Sequence, residues 1–257
     1  MPQKAAESKP PLPAAEGWQI IAWADAKPAD RCLEQEYALA DAVGVGACKP
    51  TVFIWRSRQA LIVTRGQTHW PGFAATAAAL AECGWPVIAR RSGGGAFPIG
   101  LGTIQIAMVQ RNPGFGLSIE TYYDRLGALI IAVLGEFGIA AQVGATPGAF
   151  CNGRHDLVIA GRKVAGLAQH WRPCGDGERC VTAAASVLVE ADMRELTAIV
   201  DLFHAGCGQT IDIRVEAMTT VRDHCAAAAP RGRDLAADFL AQLAASAGRQ
   251  PTLSVYS

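Results

Sequence analysis

The stretch Leu157-Val-Ile-Ala-Gly-Arg-Lys-Val-Ala-Gly-Leu-Ala-Gln169 leaves the chain little structural choice. Two apolar runs meet at Ala160-Gly161, so the backbone must double back there as an antiparallel hairpin. Period-two alternation along the second run puts Lys163 on the side of Ala165 and Leu167. An ammonium on an apolar face either snorkels to water or meets an anion. Gly161 and Gly166 flank it and let a ligand approach the main chain closely. Cys151 stands just upstream, in Cys151-Asn-Gly-Arg-His-Asp156, which places a thiol and a fixed cation in one short segment.

The rest of the chain reads as strands in hairpins with helices inserted between them. Asp30 is expected to cap a helix to about Val43, with Leu33, Tyr37 and Ala40 on one face and Gly44 and Gly46 ending it. Val52-Phe-Ile-Trp55 and Ala60-Leu-Ile-Val63 are expected to pair as strands, followed by a turn at Arg65-Gly-Gln67 and a helix over 73–83. Pro86-Val-Ile-Ala89 and Thr103-Ile-Gln-Ile-Ala-Met-Val109 read as strands on either side of a glycine loop. Ser118 is expected to cap a core helix to Phe137, stopped by Gly138. Val181–Glu190 reads as a strand, Met193–Phe203 as a helix, and Leu235, Phe239, Leu240 and Leu243 mark a terminal helix after a linker at 225–232. This pattern predicts an α+β fold of mixed, largely antiparallel sheets with packed helices. Residues 1–17, rich in Pro, Ala and charge, are expected to form a tail, and 18–257 a single domain.

With 51% hydrophobic residues the chain can bury a large core. Lys plus Arg equal Asp plus Glu at 23 each, so no bulk attraction draws it to nucleic acid or an anionic membrane. The most apolar stretch, 127–141, is too short to span a bilayer and contains Glu136. Eight scattered cysteines lack the spacing of a disulfide framework, which points to reduced thiols in the cytoplasm.

Three consecutive glycines in Arg90-Arg-Ser-Gly-Gly-Gly-Ala96 remove every β-carbon from a loop, so its amides can close on a carbonyl or phosphate. Alone the run is also a turn between strands, but the adjacent arginines supply directed donors to an anion. No Lys-Ser/Thr pair follows, so it is not a P-loop. Cys151 is the candidate nucleophile if Lys163 or His155 lies near its sulfur, with Cys180 in reserve; a buried, inert thiol is the plainer reading of either. Asp156 is expected to order the loop, and the His and Cys spacings around 151–180 fit no standard zinc site.

Taken together, the Arg90-Arg-Ser-Gly-Gly-Gly-Ala96 loop, Gly153-Arg-His-Asp-Leu-Val158 and Gly161-Arg-Lys-Val-Ala-Gly-Leu-Ala-Gln169 resemble the lipoate-protein ligase and octanoyltransferase family, which is related to biotin protein ligases. The resemblance implies a biotin/lipoate protein ligase-like, class II synthetase-like catalytic domain without the family's separate C-terminal accessory domain. It implies an acyl tunnel in which Arg91, Ser92, Gly93, Gly94, Gly95, Ala96 and Gly166 hold the acyl or adenylate group and Lys163 steadies its oxygen, with His155 and Asp156 in support. A buried eight-carbon chain contributes up to about 0.8 kcal/mol per methylene. Where ATP-dependent ligases continue the loop with His-Asp-x-Gly-Asn, this chain has Ile99-Gly-Leu-Gly-Thr103, whereas Phe150-Cys-Asn-Gly-Arg154 looks like the cysteine loop of the acyltransferase branch. The leading expectation is therefore octanoyl or lipoyl transfer through Cys151, without cofactor or metal, to a lipoyl carrier domain of the glycine cleavage H protein or dehydrogenase E2 type. Acyl carrier protein is a candidate donor. The alternatives are an ATP- and Mg-dependent lipoate ligase and a non-catalytic acyl-carrier-binding protein.

Overall fold

The computed structural model of the chain describes residues 17–112, 116–175, 177–225 and 234–249. Of the expected tail only Gly17, and of the expected linker only Cys225, fall within them. The elements in chain order are β1 (Gln19–Lys27), α1 (Ala29–Gly44), β2 (Thr51–Ser57), β3 (Ala60–Thr64), α2 (Phe73–Glu82), β4 (Val87–Arg90), β5 (Phe97–Ile99), β6 (Thr103–Asn112), α3 (Ile119–Glu136), β7 (Gln142–Val143), β8 (Leu157–Ile159), β9 (Arg162–Pro173), β10 (Arg179–Leu188), α4 (Met193–Gly206) and α5 (Leu235–Arg249).

A seven-stranded mixed sheet runs β1-β2-β6-β10-β9-β8-β7, and a three-stranded sheet runs β4-β3-β5. β6 is buried on both faces and so sorts the core. Its Ile104, Ile106 and Met108 pack with α3 and α5 on one side, through Leu126, Leu129, Ile130, Val133, Phe239 and Leu243. On the other side α1, α4 and the small sheet close a second core around Phe53, Trp55, Leu61, Phe97 and Phe203. The expected α+β class holds, and α3 carries the expected cap: the Ser118 hydroxyl accepts from Thr121 N. Ala160 (φ 49°) and Gly161 (φ 75°) make the left-handed two-residue turn of the β8–β9 hairpin.

Four sequence expectations need correction. The α1 cap is Pro28, not Asp30, which lies one residue inside the helix where an acid meets the amide-rich end of the helix dipole. β2 and β3 do not pair; β2 lies between β1 and β6, and β3 between β4 and β5. Both runs are apolar enough to be buried on each face, so local pattern could not tell neighbours in sequence from neighbours in space. β1, which the apolar pattern did not reveal, is an edge strand parallel to β2. Finally, the pairing shifts from Leu157↔Ala165 to Val158↔Lys163, a bulge that breaks the alternation and takes Lys163 off the side of Ala165 and Leu167.

Candidate active site

A slot opens between α1, the start of the glycine loop at Arg90, Arg91 and Ser92, and the large sheet. Its cause is visible in the strand register. Gln105 pairs with Ser186 and Ser186 with Gly166, while Ala107 pairs with Ala184 and Ala184 with Ala168. These mostly small residues fill little of the space beneath α1, and Leu33, Ala40, Trp55, Ile62, Phe97 and Ile99 supply greasy walls.

Cys151 lines this slot with an unusual backbone. Its φ is +48°, and Cys151 and Ala160 are the non-glycine residues in that region among those described. Such strain persists only where the surroundings enforce it. Asn152 Oδ1 accepts from Thr146 N at 2.9 Å, Gly153 N donates to Asp156 Oδ2 at 2.8 Å, and Phe150 packs edge-on against Phe97 with ring centres 5.0 Å apart. The bent loop delivers the sulfur to the glycine run, where Gly95 N–H donates to Sγ at 3.1 Å and Arg90 Nη2 lies 3.6 Å away. Arg90 also donates to the carbonyls of Gly93 and Gly95, both at 2.9 Å, clamping the loop from beneath. Gly94 (φ +111°) is indispensable to that approach, because a β-carbon there would sit 2.6 Å from Arg90 Nη2 and 2.8 Å from Sγ.

Lys163 is wholly buried. Its Nζ meets Asp156 Oδ2 at 2.8 Å and donates to the carbonyls of Phe150 at 3.0 Å and Cys151 at 2.6 Å. It thus pins the Cys151 loop from behind rather than touching the thiol. Only Gly166 and Phe97 separate it from the slot: a β-carbon at Gly166 would come within 3.1 Å of Nζ. The Gly95 amide and the Lys163 ammonium therefore both meet Cys151, the first at its sulfur and the second at its carbonyl, and it is Cys151 and Gly166 that line the slot.

The other anticipated residues are placed more loosely. Arg91 is exposed and stacks on the Tyr37 ring at 4.0 Å, and its backbone N donates to Tyr37 Oη. Ser92 lines the slot, Gly93 faces open space and Ala96 is buried. His155 lies flat on Tyr123, with ring centres 4.1 Å apart. His170 lines the slot, its pKa held down by burial and by the charges of Arg91, Arg172 and Arg65. Cys180 is buried beside Val43, Ala107 and Val109; burial pushes its thiol up, and Sγ donates to Ala40 O, so it fills space rather than reacting. Sequence reasoning missed Arg90 as the loop's clamp, and missed Glu36, a slot carboxyl whose burial pushes its pKa up to about 7. A Glu on the buried side of the α1 stripe was the available signal. No cluster of three His, Cys, Asp or Glu side chains fit for a metal occurs among the described residues.

The family model of the lipoyl protein ligase A/B catalytic domain matches residues 28–241. An octanoyl-[GcvH]:protein N-octanoyltransferase of Anoxybacillus flavithermus is 30% identical over 155 residues, covering 59% of this chain and 56% of that protein. The chain thus spans little more than half the length of the transferase it matches. An uncharacterized protein of Cupriavidus necator is 32% identical over 187 residues, covering 67% of this chain and 72% of that one. In fold, the chain is similar to a lipoate protein ligase of Thermoplasma acidophilum solved with bound lipoic acid, at a TM-score of 0.66 and 17% identity, covering 88% of this chain and 83% of the other.

Proposed function

We propose, on the premise that this chain belongs to the lipoyl protein ligase A/B catalytic-domain family, that it transfers an octanoyl or lipoyl group to a lysine of a lipoyl carrier domain through a thioester on Cys151. One observation carries this reading: a strained cysteine at an apolar slot, its sulfur 3.1 Å from a glycine-loop amide. The thiolate attacks the acyl carbonyl of the donor, the bond from that carbon to the leaving nitrogen or sulfur breaks, and the leaving group takes a proton. The amine of the acceptor lysine then attacks the thioester, forming the amide and returning the cysteine thiol. Arg90 Nη2 and the Gly95 amide are the donors beside the sulfur, and they would favour charge developing on the acyl oxygen there. Lys163 and Asp156 hold the loop still through both steps, with His155 beside it.

The name of the Anoxybacillus relative supports carriers of the glycine cleavage H type as donor or acceptor. E2-type lipoyl domains and acyl carrier protein are further candidates of the same kind. No helix among the described residues is long and apolar enough to cross a membrane, and all eight cysteines are free, in keeping with a cytoplasmic enzyme. Neither ATP nor metal enters the thioester route.

Purified protein is incubated with octanoyl carrier protein, or with lipoate plus ATP and magnesium, then with a lipoyl-domain acceptor, and intact masses are recorded. A hydroxylamine-labile adduct that disappears in Cys151→Ser, together with acceptor acylation without ATP, is the expected result. Acylation that requires ATP and survives Cys151→Ser would replace the proposal with a lipoate ligase. No acceptor modification under either condition would leave a binding protein.

A further inference from the structure

Glu36 is the one carboxyl among the residues that line the slot. It sits on the buried face of α1, is 9% exposed and lines the slot beside Leu33, Trp55 and Ile62. No ion pair holds it among the described residues, and the indole N–H of Trp55 leans toward it without reaching hydrogen-bonding geometry. Three cations line the slot: Arg90 serves the carbonyls of Gly93 and Gly95, Arg91 stacks on the Tyr37 ring, and Arg172 pairs with Asp41. The remaining titratable neighbours are Tyr37 and Cys32 on its own helix, with Cys151 and His170 on the lining; β6 and β10 present only the neutral Gln105, Thr182, Ala184, Ala185 and Ser186. Burial pushes its pKa up to about 7, against the pull of Trp55 and then of Arg90.

We propose that Glu36 couples occupancy of the slot to a proton: a hydrocarbon chain enters with Glu36 protonated, and the ionised carboxylate opposes its entry. The inference rests on the reading that the slot takes the acyl chain. Hydrocarbon filling the space beside Glu36 strips away whatever solvation the carboxylate retained, and an unpaired charge in such a place is far costlier than a neutral acid. The filled slot therefore holds its proton to higher pH than the empty one, and linkage fixes the sign. Affinity is constant while Glu36 is neutral in the free protein and falls as pH rises above its free-protein pKa, the missing proton being drawn from solvent.

Octanamide is the probe, since it carries the chain but neither titrates nor acylates a thiol. Its binding to the full chain is followed by calorimetry from pH 6 to 8.5 in two buffers of different ionisation enthalpy. Binding is expected to weaken about tenfold between pH 6 and pH 8, with proton uptake approaching one per octanamide at pH 8. Glu36→Gln should bind equally at both pH values without proton uptake, and Glu36→Asp should restore the dependence. Wild-type affinity that stays flat with no uptake, or a Gln variant that keeps the wild-type slope, overturns the role of Glu36 and leaves the acyl slot standing. Absence of binding at every pH overturns the acyl slot as well. Proton uptake is read on the unmodified protein, so the test survives a Gln variant that fails to fold.

Discussion

Lys163 and Asp156 face each other at 0% and 1% exposure, so neither can lose its partner to water. Lys163→Met should therefore destabilise the fold by about 3–5 kcal/mol in a denaturant titration, because it strands a buried carboxylate. The double variant with Asp156→Asn should recover part of that loss. Gly94→Ala tests the other side of the sulfur. Its β-carbon falls on Arg90 and Cys151, so acyl-enzyme formation should drop at least about a hundredfold, read by intact mass, while the fold loses only about 1–3 kcal/mol to backbone strain. Cys151, Lys163 and the glycines stood out in the sequence as candidates because their chemistry is written in residue type. Arg90 and Arg91 were not separable: the first ends β4 and the second begins the loop, and only the packing shows that the first reaches under the loop while the second stacks on Tyr37.

Two elements that depend on local signals, α3 and the β8–β9 turn, came out as expected, while the α1 cap moved from Asp30 to Pro28. α3 starts at Ser118 because a hydroxyl there satisfies an orphan amide, and Ser118→Ala should cost about 1 kcal/mol of stability, measured by chemical denaturation. The β8–β9 hairpin turns at Ala160-Gly161, where Gly161 takes the left-handed conformation freely and Ala160 is held in it by the strands paired on either side. Elements whose place depends on distant partners did not. The pairing of β2 with β1 and β6, and of β3 with β4 and β5, is decided by which faces need covering. The bulge at Lys163 is likewise a tertiary event: the ammonium turns toward Asp156 and the carbonyls of Phe150 and Cys151, and the alternation yields to that set of bonds.

Across the whole molecule, one buried acid leaves a signature in stability against pH. Glu36 keeps its proton in the folded chain to about pH 7, against an ordinary value of 4.5, so the unfolded chain releases it first as pH rises. Its contribution is fully present below pH 4.5, is lost progressively up to about pH 7 and changes no further above that. Glu36→Gln should accordingly gain stability relative to the wild type on going from pH 4.5 to pH 8, by on the order of 3 kcal/mol, read from denaturant midpoints at the two pH values. By itself the sequence determined the α+β class, the α3 cap, the β8–β9 turn and which side chains are candidates for chemistry, because propensity, capping and residue chemistry act within a few residues along the chain. Tertiary structure alone decided that the glycine loop and a buried ion pair meet at one strained cysteine, and that a slot opens beside it. Both depend on cross-strand register, which sets small residues of β9 and β10 side by side beneath α1 and is fixed by contacts between residues far apart in the chain.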